Sequence, residues 1–136
     1  MSRIAVNVDG GARGNPGPAA IGVVLRDGAG EVLEEVGEAI GEATNNVAEY
    51  RALLRGIELA AQHGATELEL IGDSELVVRQ VEGRYKVKHA DMKELHGEVT
   101  RALRGFDSWS IRHVRRAENA DADRLVNQAL DGALDG

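Results

Sequence analysis

The hydrophobic period of this chain changes near residue 44, and the change limits the folds open to it. Before that point apolar residues alternate. Ile4, Val6 and Val8 interleave with Ala5, Asn7 and Asp9, so one strand face is wholly apolar and Asn7 and Asp9 share the other. Residues 20–26 read as a second strand, Asp27-Gly28-Ala29-Gly30 as a hairpin turn, and 31–39 as a third strand with a glutamate-rich outer face. The Gly- and Pro-rich run from Gly10 to Pro18 reads as a loop. Thereafter the period lengthens. A helix is predicted over 44–63, with Asn46 as its N-cap and Gly64 as its stop. A strand over 67–72, a short helix over 73–82, a basic connector over 83–90, a helix over 91–104, a strand over 108–114 and a last helix over 119–130 follow.

The order β-β-β-α-β-α-α-β-α predicts an α/β fold. Its mixed five-stranded sheet has three antiparallel strands, then parallel ones, and is flanked by helices. In such sheets ligands collect beyond the carboxyl ends of parallel strands, and Asp9 and Asp73 end two apolar strands. A chain of 136 residues fits one domain, expected over 1–132, with 133–136 a frayed tail.

Aromatic residues are only 3% of the chain, so Val, Leu, Ile and Ala must build the core. Cysteine is absent, which excludes disulfides and thiolate metal sites. The amino terminus runs directly into a strand pattern with no signal-peptide segment, and no apolar run reaches the roughly 18 residues of a membrane span, so a soluble, cytoplasmic protein is expected. The net charge of −7 argues against a general nucleic-acid coat, but the charges are segregated. Glu31, Glu34, Glu35, Glu38 and Glu42 form an acidic stretch. Arg79, Arg84, Lys86, Lys88 and Lys93 form a basic one, and Arg112, Arg115 and Arg116 another. Each run reads as a solvated face or as part of an oriented polyanion site.

Four carboxylates fall at element ends on sides that the local pattern would bury: Asp9, Glu49, Asp73 and Asp123. Each has a plainer reading. Asp9 precedes Gly10-Gly11 as a turn aspartate would. Asp73 stands where a helix N-cap would. Glu49 lies three residues after Asn46, a capping-box spacing, although it shares an apolar helix face with Leu53 and Ile57. Asp123 opens a helix, where the dipole favours any acid, yet it shares a face with Val126 and Leu130, leaving Asp121 as the solvent-facing acid. Taken together, inward acids need compensation, and divalent cations supply it. A two-metal site asks for several hard oxygen ligands converging around ions roughly 3.5–4 Å apart.

The runs Asp9-Gly10-Gly11 with Gly14-Asn15-Pro16-Gly17-Pro18, Thr44-Asn45-Asn46 with Glu49, Ile71-Gly72-Asp73-Ser74, and Glu118 to Leu125 resemble type 1 ribonuclease H over nearly the whole chain, in a short form without its basic protrusion. The resemblance implies a ribonuclease H-like fold. It also implies endonucleolytic hydrolysis of the RNA strand of RNA/DNA hybrids, leaving 5′-phosphates. Asp9, Glu49, Asp73 and Asp123 would hold two Mg²⁺ ions, for which Mn²⁺ can substitute. It places Asn15, Thr44, Asn45 and Asn46 along the substrate groove, with Thr44 and Asn46 either in a phosphate pocket or simply capping a helix. A monomer without membrane contact is expected.

Three departures from the family pattern stand out. Val114-Arg115-Arg116-Ala117-Glu118 lacks the loop histidine of many relatives, leaving Arg115 or Arg116 to act at the scissile phosphate; His113 falls in a predicted strand. The connector is too short for a protrusion helix, so hybrid contacts would fall to Arg84, Tyr85, Lys86 and Lys88. Glu75 stands where relatives often carry Gln, and a carboxylate cannot donate to a base acceptor. The alternative to an enzyme is a non-catalytic nucleic-acid-binding domain of the same fold.

Overall fold

Alternation in the first third of the chain builds an antiparallel meander, and the later strands join it in parallel. A computed structural model describes residues 2–135. Strands β1 (Arg3–Ala12), β2 (Gly17–Arg26), β3 (Val32–Ala43), β4 (Glu67–Gly72) and β5 (Ser108–His113) form one sheet in the order β3-β2-β1-β4-β5. The pairs β1–β2 and β2–β3 are antiparallel, while β1–β4 and β4–β5 are parallel. This is the predicted mixed sheet, with β1 at its centre.

Helices α1 (Asn45–Gln62), α2 (Glu75–Val81) and α3 (Ala90–Leu103) cover one face, and α4 (Ala120–Asp135) crosses the other. The first layer closes over Ile4, Val6, Val8, Val23, Leu25 and Leu70, which meet Leu53 and Ile57 of α1, Val77 and Val78 of α2, and Val99 of α3. A smaller cluster, Ala20 with Val126 and Leu130, lies under α4. Val, Leu, Ile and Ala dominate both, as the scarcity of aromatic residues requires; Tyr50 is the largest fully buried side chain.

The Gly/Pro-rich run departs from expectation. Most of it is strand, because Gly10, Gly11 and Ala12 pair with Ile21, Ala20 and Ala19. Ladder pairing in the middle of a sheet overrides the weak strand propensity of glycine. Only residues 13–16 remain as the connection, closed by the Arg13 amide donating to the Pro18 carbonyl at 2.8 Å.

The cap of α1 also differs. Thr44, not Asn46, is the N-cap, with its hydroxyl accepting the Val47 amide at 3.2 Å. Gly64 takes a φ of +79° just past the helix end, the left-handed conformation of a helix stop. A 3-10 turn over Arg116–Asn119 precedes α4, which continues through the stretch expected to fray as far as Asp135; Gly136 lies outside the described residues.

Candidate active site

A helix can approach a strand this closely only where the strand has no side chain. A Cβ on Gly10 would overlap the backbone of Ala48 and Glu49, so the N-terminal turns of α1 rest directly on β1. Glu49 uses that contact: its carboxylate accepts the Gly10 amide at 2.9 Å, one residue beyond Asp9. It is therefore not closing a capping box on Asn46. Asp9 is not a turn residue either, since it lies inside β1 opposite Gly22. Asp73 follows β4 directly, and Ser74 rather than Asp73 caps α2, its hydroxyl accepting the Val77 amide. Parallel pairing of Val8 with Gly72 then sets Asp9, within β1, beside Asp73 at the carboxyl end of β4.

Asp9, Glu49 and Asp73 each offer an oxygen, and the three atoms lie within 4.8 Å of one another. Asp9 is 6% exposed and Glu49 8%. Burial is the main cause that pushes the Asp9 carboxyl up to about 7, and the charges of Asp73 and Asp123 add to it, against a hydrogen bond from Glu49. Burial, then the charge of Asp9, raises Glu49 well above the usual carboxylate range.

Asp123 stands at the margin of this cluster. It projects from the first turn of α4, is close enough to raise Asp9, and receives a hydrogen bond from the Arg116 guanidinium at 3.1 Å. That bond and the Asp123 charge, then the charges of Asp9 and Asp73, raise the Arg116 pKa above its ordinary value. Asp121 faces elsewhere, paired with Arg26 at 2.7 Å.

The acids line an open cleft of about 550 Å³ shared with Gly10, Gly11, Ser74, Arg116 and the amides of Asn45 and Asn46. A second groove, also about 550 Å³, begins at Asn46 and continues along Leu76, Arg84, Tyr85, Lys86, Lys88 and His89. Asn46 lines both, so acids and cations share one surface. Asn15 and Thr44 line neither groove. Asn15 accepts the Asn45 amide at 3.0 Å, and the Asn45 side chain in turn accepts the Ala12 amide at 2.8 Å. Arg115 pairs with Glu118 at 3.2 Å and does not line the cleft, and His113 lies in β5 opposite Gly72.

Sequence reasoning missed Arg13 and Asn127, which also line the cleft, and Asn119. Asn119 is 1% exposed, donates to the Val8 carbonyl at 2.9 Å and accepts from Asn7 at 3.0 Å, fixing the 3-10 turn to β1. The clue was present in Asn7, a polar residue on the same strand face as Asp9.

Residues 7–129 match the family model described as reverse transcriptase-like. The chain is 34% identical to a ribonuclease H of Erythrobacter litoralis, over 96% of this chain and 98% of that protein. The chain belongs to the ribonuclease H family. It is also 48% identical to a ribonuclease HI of Halobacterium salinarum, over 96% of this chain. Among solved ribonuclease H structures, LC11-RNase H1 in complex with an RNA/DNA hybrid superposes with a TM-score of 0.92 at 46% identity, over 96% of this chain and 99% of that one. The chain spans 66% of the Halobacterium ribonuclease HI and 36% of a bifunctional Mycobacterium tuberculosis protein that it matches. Within the ribonuclease H fold this chain has no helix between α2 and α3, as its short connector predicts. No helix among the described residues is long and apolar enough to cross a membrane.

Proposed function

We propose that this chain is a metal-dependent endoribonuclease that hydrolyses the RNA strand of RNA/DNA hybrids. The observation that carries the reading is the convergence of Asp9, Glu49 and Asp73 within 4.8 Å, in a cleft that continues into a cationic groove. Three carboxylates so close, two of them buried, resist joint ionisation unless a cation replaces their protons. The donor set is all hard oxygen and fits Mg²⁺, with Mn²⁺ as a substitute. Asp9, Glu49 and Asp73 would hold two such ions, with Asp123 joining from α4. When bound, the ions supply the charge that activates a water for attack on phosphorus and stabilises the leaving 3′ oxygen.

The chain's own residues bind and orient. The amides of Asn45 and Asn46 offer short donors and acceptors suited to the shallow groove of a hybrid, where 2′-hydroxyls and base edges are exposed. Asn15 and Thr44 hold that helix end in place. Arg84, Lys86 and Lys88 meet phosphates, and Tyr85 packs on sugar or base. Arg116 places its charge beside the scissile phosphate where relatives carry a loop histidine; Arg115, paired outside the cleft, has the lesser part. An open cleft needs no strand end, which suits internal cutting, and departure of the 3′ oxygen leaves a 3′-hydroxyl and a 5′-phosphate. In this reading the chain acts as a monomer.

The test is cleavage of hybrid, duplex RNA and duplex DNA, each with Mg²⁺ and with excess chelator. Metal-dependent cutting of the hybrid RNA strand is expected. Equal cutting of duplex DNA, or full activity in chelator, would overturn the reading. Tight hybrid binding without any cutting would favour a binding domain instead.

A further inference from the structure

Among the described residues four polar or charged ones are buried: Asp9, Glu49, Gln80 and Asn119. Two belong to the acid cluster, and Asn119 ties the 3-10 turn to β1. Gln80, 3% exposed, lies outside the acid cleft and lines the cationic groove beside it. A buried amide is costly unless both ends are satisfied, and Leu or Met would fill the same volume without that demand.

Both ends are satisfied. Its side-chain oxygen accepts the Tyr50 hydroxyl at 2.6 Å, and its side-chain nitrogen donates to the Lys86 carbonyl at 3.2 Å. Its own backbone carbonyl meets the His96 Nε2 at 3.1 Å. Tyr50 directly follows Glu49 in α1, and burial pushes its hydroxyl up to about 12, so it donates at any working pH. The His96 ring stands edge-on to Tyr50, with centroids 6.3 Å apart. At this one residue α1, α2, α3 and the basic connector meet.

The connector, residues 82–89, has no regular structure of its own. Its first amides return to the end of α2: Glu82 to the Val78 carbonyl, Gly83 to the Gln80 carbonyl, and Arg84 and Tyr85 to the Arg79 carbonyl. The next hydrogen bond along it is from the Gln80 side chain to the Lys86 carbonyl. We propose that Gln80 is a positioning residue: through Tyr50 on one side and Lys86 on the other, it holds the basic connector at a fixed place relative to the helix that carries Glu49. Arg84, Lys86 and Lys88 are thereby preorganised, and hybrid binding need not order them. The consequence for hybrid binding rests on the connector being a substrate surface, as proposed above.

Two measurements test this on the whole chain. In the first, without nucleic acid or metal, trypsin cutting after Arg84, Lys86 and Lys88 is followed at a temperature where every variant remains folded. Gln80→Met is expected to speed that cutting about tenfold relative to the other tryptic sites. Tyr50→Phe, which removes one arm only, should act in the same direction and more weakly, and it serves alone if Gln80→Met does not fold. In the second, Gln80→Met should raise KM for hybrid about three- to tenfold, with kcat within about twofold. Adding Lys86→Ala and Lys88→Ala should then cost less in the Gln80→Met background than in the parent, because they act through one unit. A lower melting temperature with unchanged connector cutting and unchanged KM would overturn the proposal. Faster cutting combined with no effect of the two lysine substitutions on the parent would refute the connector as a hybrid surface, and with it the positioning of hybrid, while leaving the anchor established.

Discussion

The Glu49 carboxylate accepts the Gly10 amide at 2.9 Å, so the acid of α1 is gripped by the strand that carries Asp9. The bond exists because Gly10 has no side chain to hold the helix away. Gly10→Ala is expected to push α1 off β1, lower stability by about 1–3 kcal/mol and cut turnover by roughly 100-fold. A melting curve and a cleavage assay on one preparation check it; wild-type turnover would show that the close approach is dispensable.

Asp9→Asn and Asp73→Asn are each expected to abolish hybrid cleavage. In chelator the same variants should melt a few degrees higher than the parent, because removing one acid relieves like-charge repulsion. The rise in melting temperature that Mg²⁺ gives the parent should shrink or vanish in both. If both variants kept parental turnover, the metal site would lie elsewhere.

Stability without metal should depend on pH in a fixed direction. The folded state holds the Asp9 proton up to about 7, against an ordinary value of 3.8, so between these limits it binds more protons than the unfolded chain. This contribution is complete below the lower limit and is lost as pH rises through the upper one. In chelator, melting temperature should therefore fall between pH 5 and pH 8, and Asp9→Asn should flatten the fall. A parent curve with the opposite slope in that window, made steeper still by Asp9→Asn, would contradict the assignment.

Asp121 and Asp123 share the first turn of α4 and differ in what they face. Asp123→Asn is expected to lower cleavage strongly. Asp121→Asn, which loses only a surface pair with Arg26, should change activity little and stability by less than about 1 kcal/mol. The reverse ranking in a cleavage assay would make Asp121 the fourth ligand.

Lys86→Ala with Lys88→Ala should raise KM for hybrid more than it lowers kcat. The pair should also flatten the salt dependence of binding by roughly one unit of slope for each phosphate no longer neutralised. Titrations at low and moderate salt measure both. An unchanged slope would mean that the connector is a solvated segment.

Order and period were legible because each element's buried face repeats in the sequence, as in Ile4, Val6 and Val8 or Leu53 and Ile57. The candidate acids stood out because Asp9, Glu49, Asp73 and Asp123 fall where each pattern turns inward, and the structure draws Asp9, Glu49 and Asp73 together with Asp123 at their margin. Gly10 to Ala12 and Gly17 to Pro18 misled because a glycine-rich segment shows no side-chain pattern, and only its partners across β1 and β2 make it strand. The N-cap of α1 was misplaced by two residues, since Thr44 and Asn46 carry equally good capping groups. Arg13 and Gln80 were invisible for another reason: each is placed by a tertiary contact, with Asp131 and Tyr50, that no local spacing encodes. Asn127 was overlooked although it lies at i,i+4 to Asp123 and bonds to it.

β3 lies at the rim of the sheet, and its outer backbone groups are left for any passing strand to join. Val32 and Leu33, both exposed, would favour such a visitor. Glu34, Glu35, Glu38 and Glu42 along the same strand would not, because a second copy laid edge to edge would bring two carboxylate-rich edges together, although Glu34, Glu35 and Glu38 also lie beside His63, Arg124 and Arg55. At this rim edge-to-edge pairing of two copies is therefore opposed by charge rather than by shape.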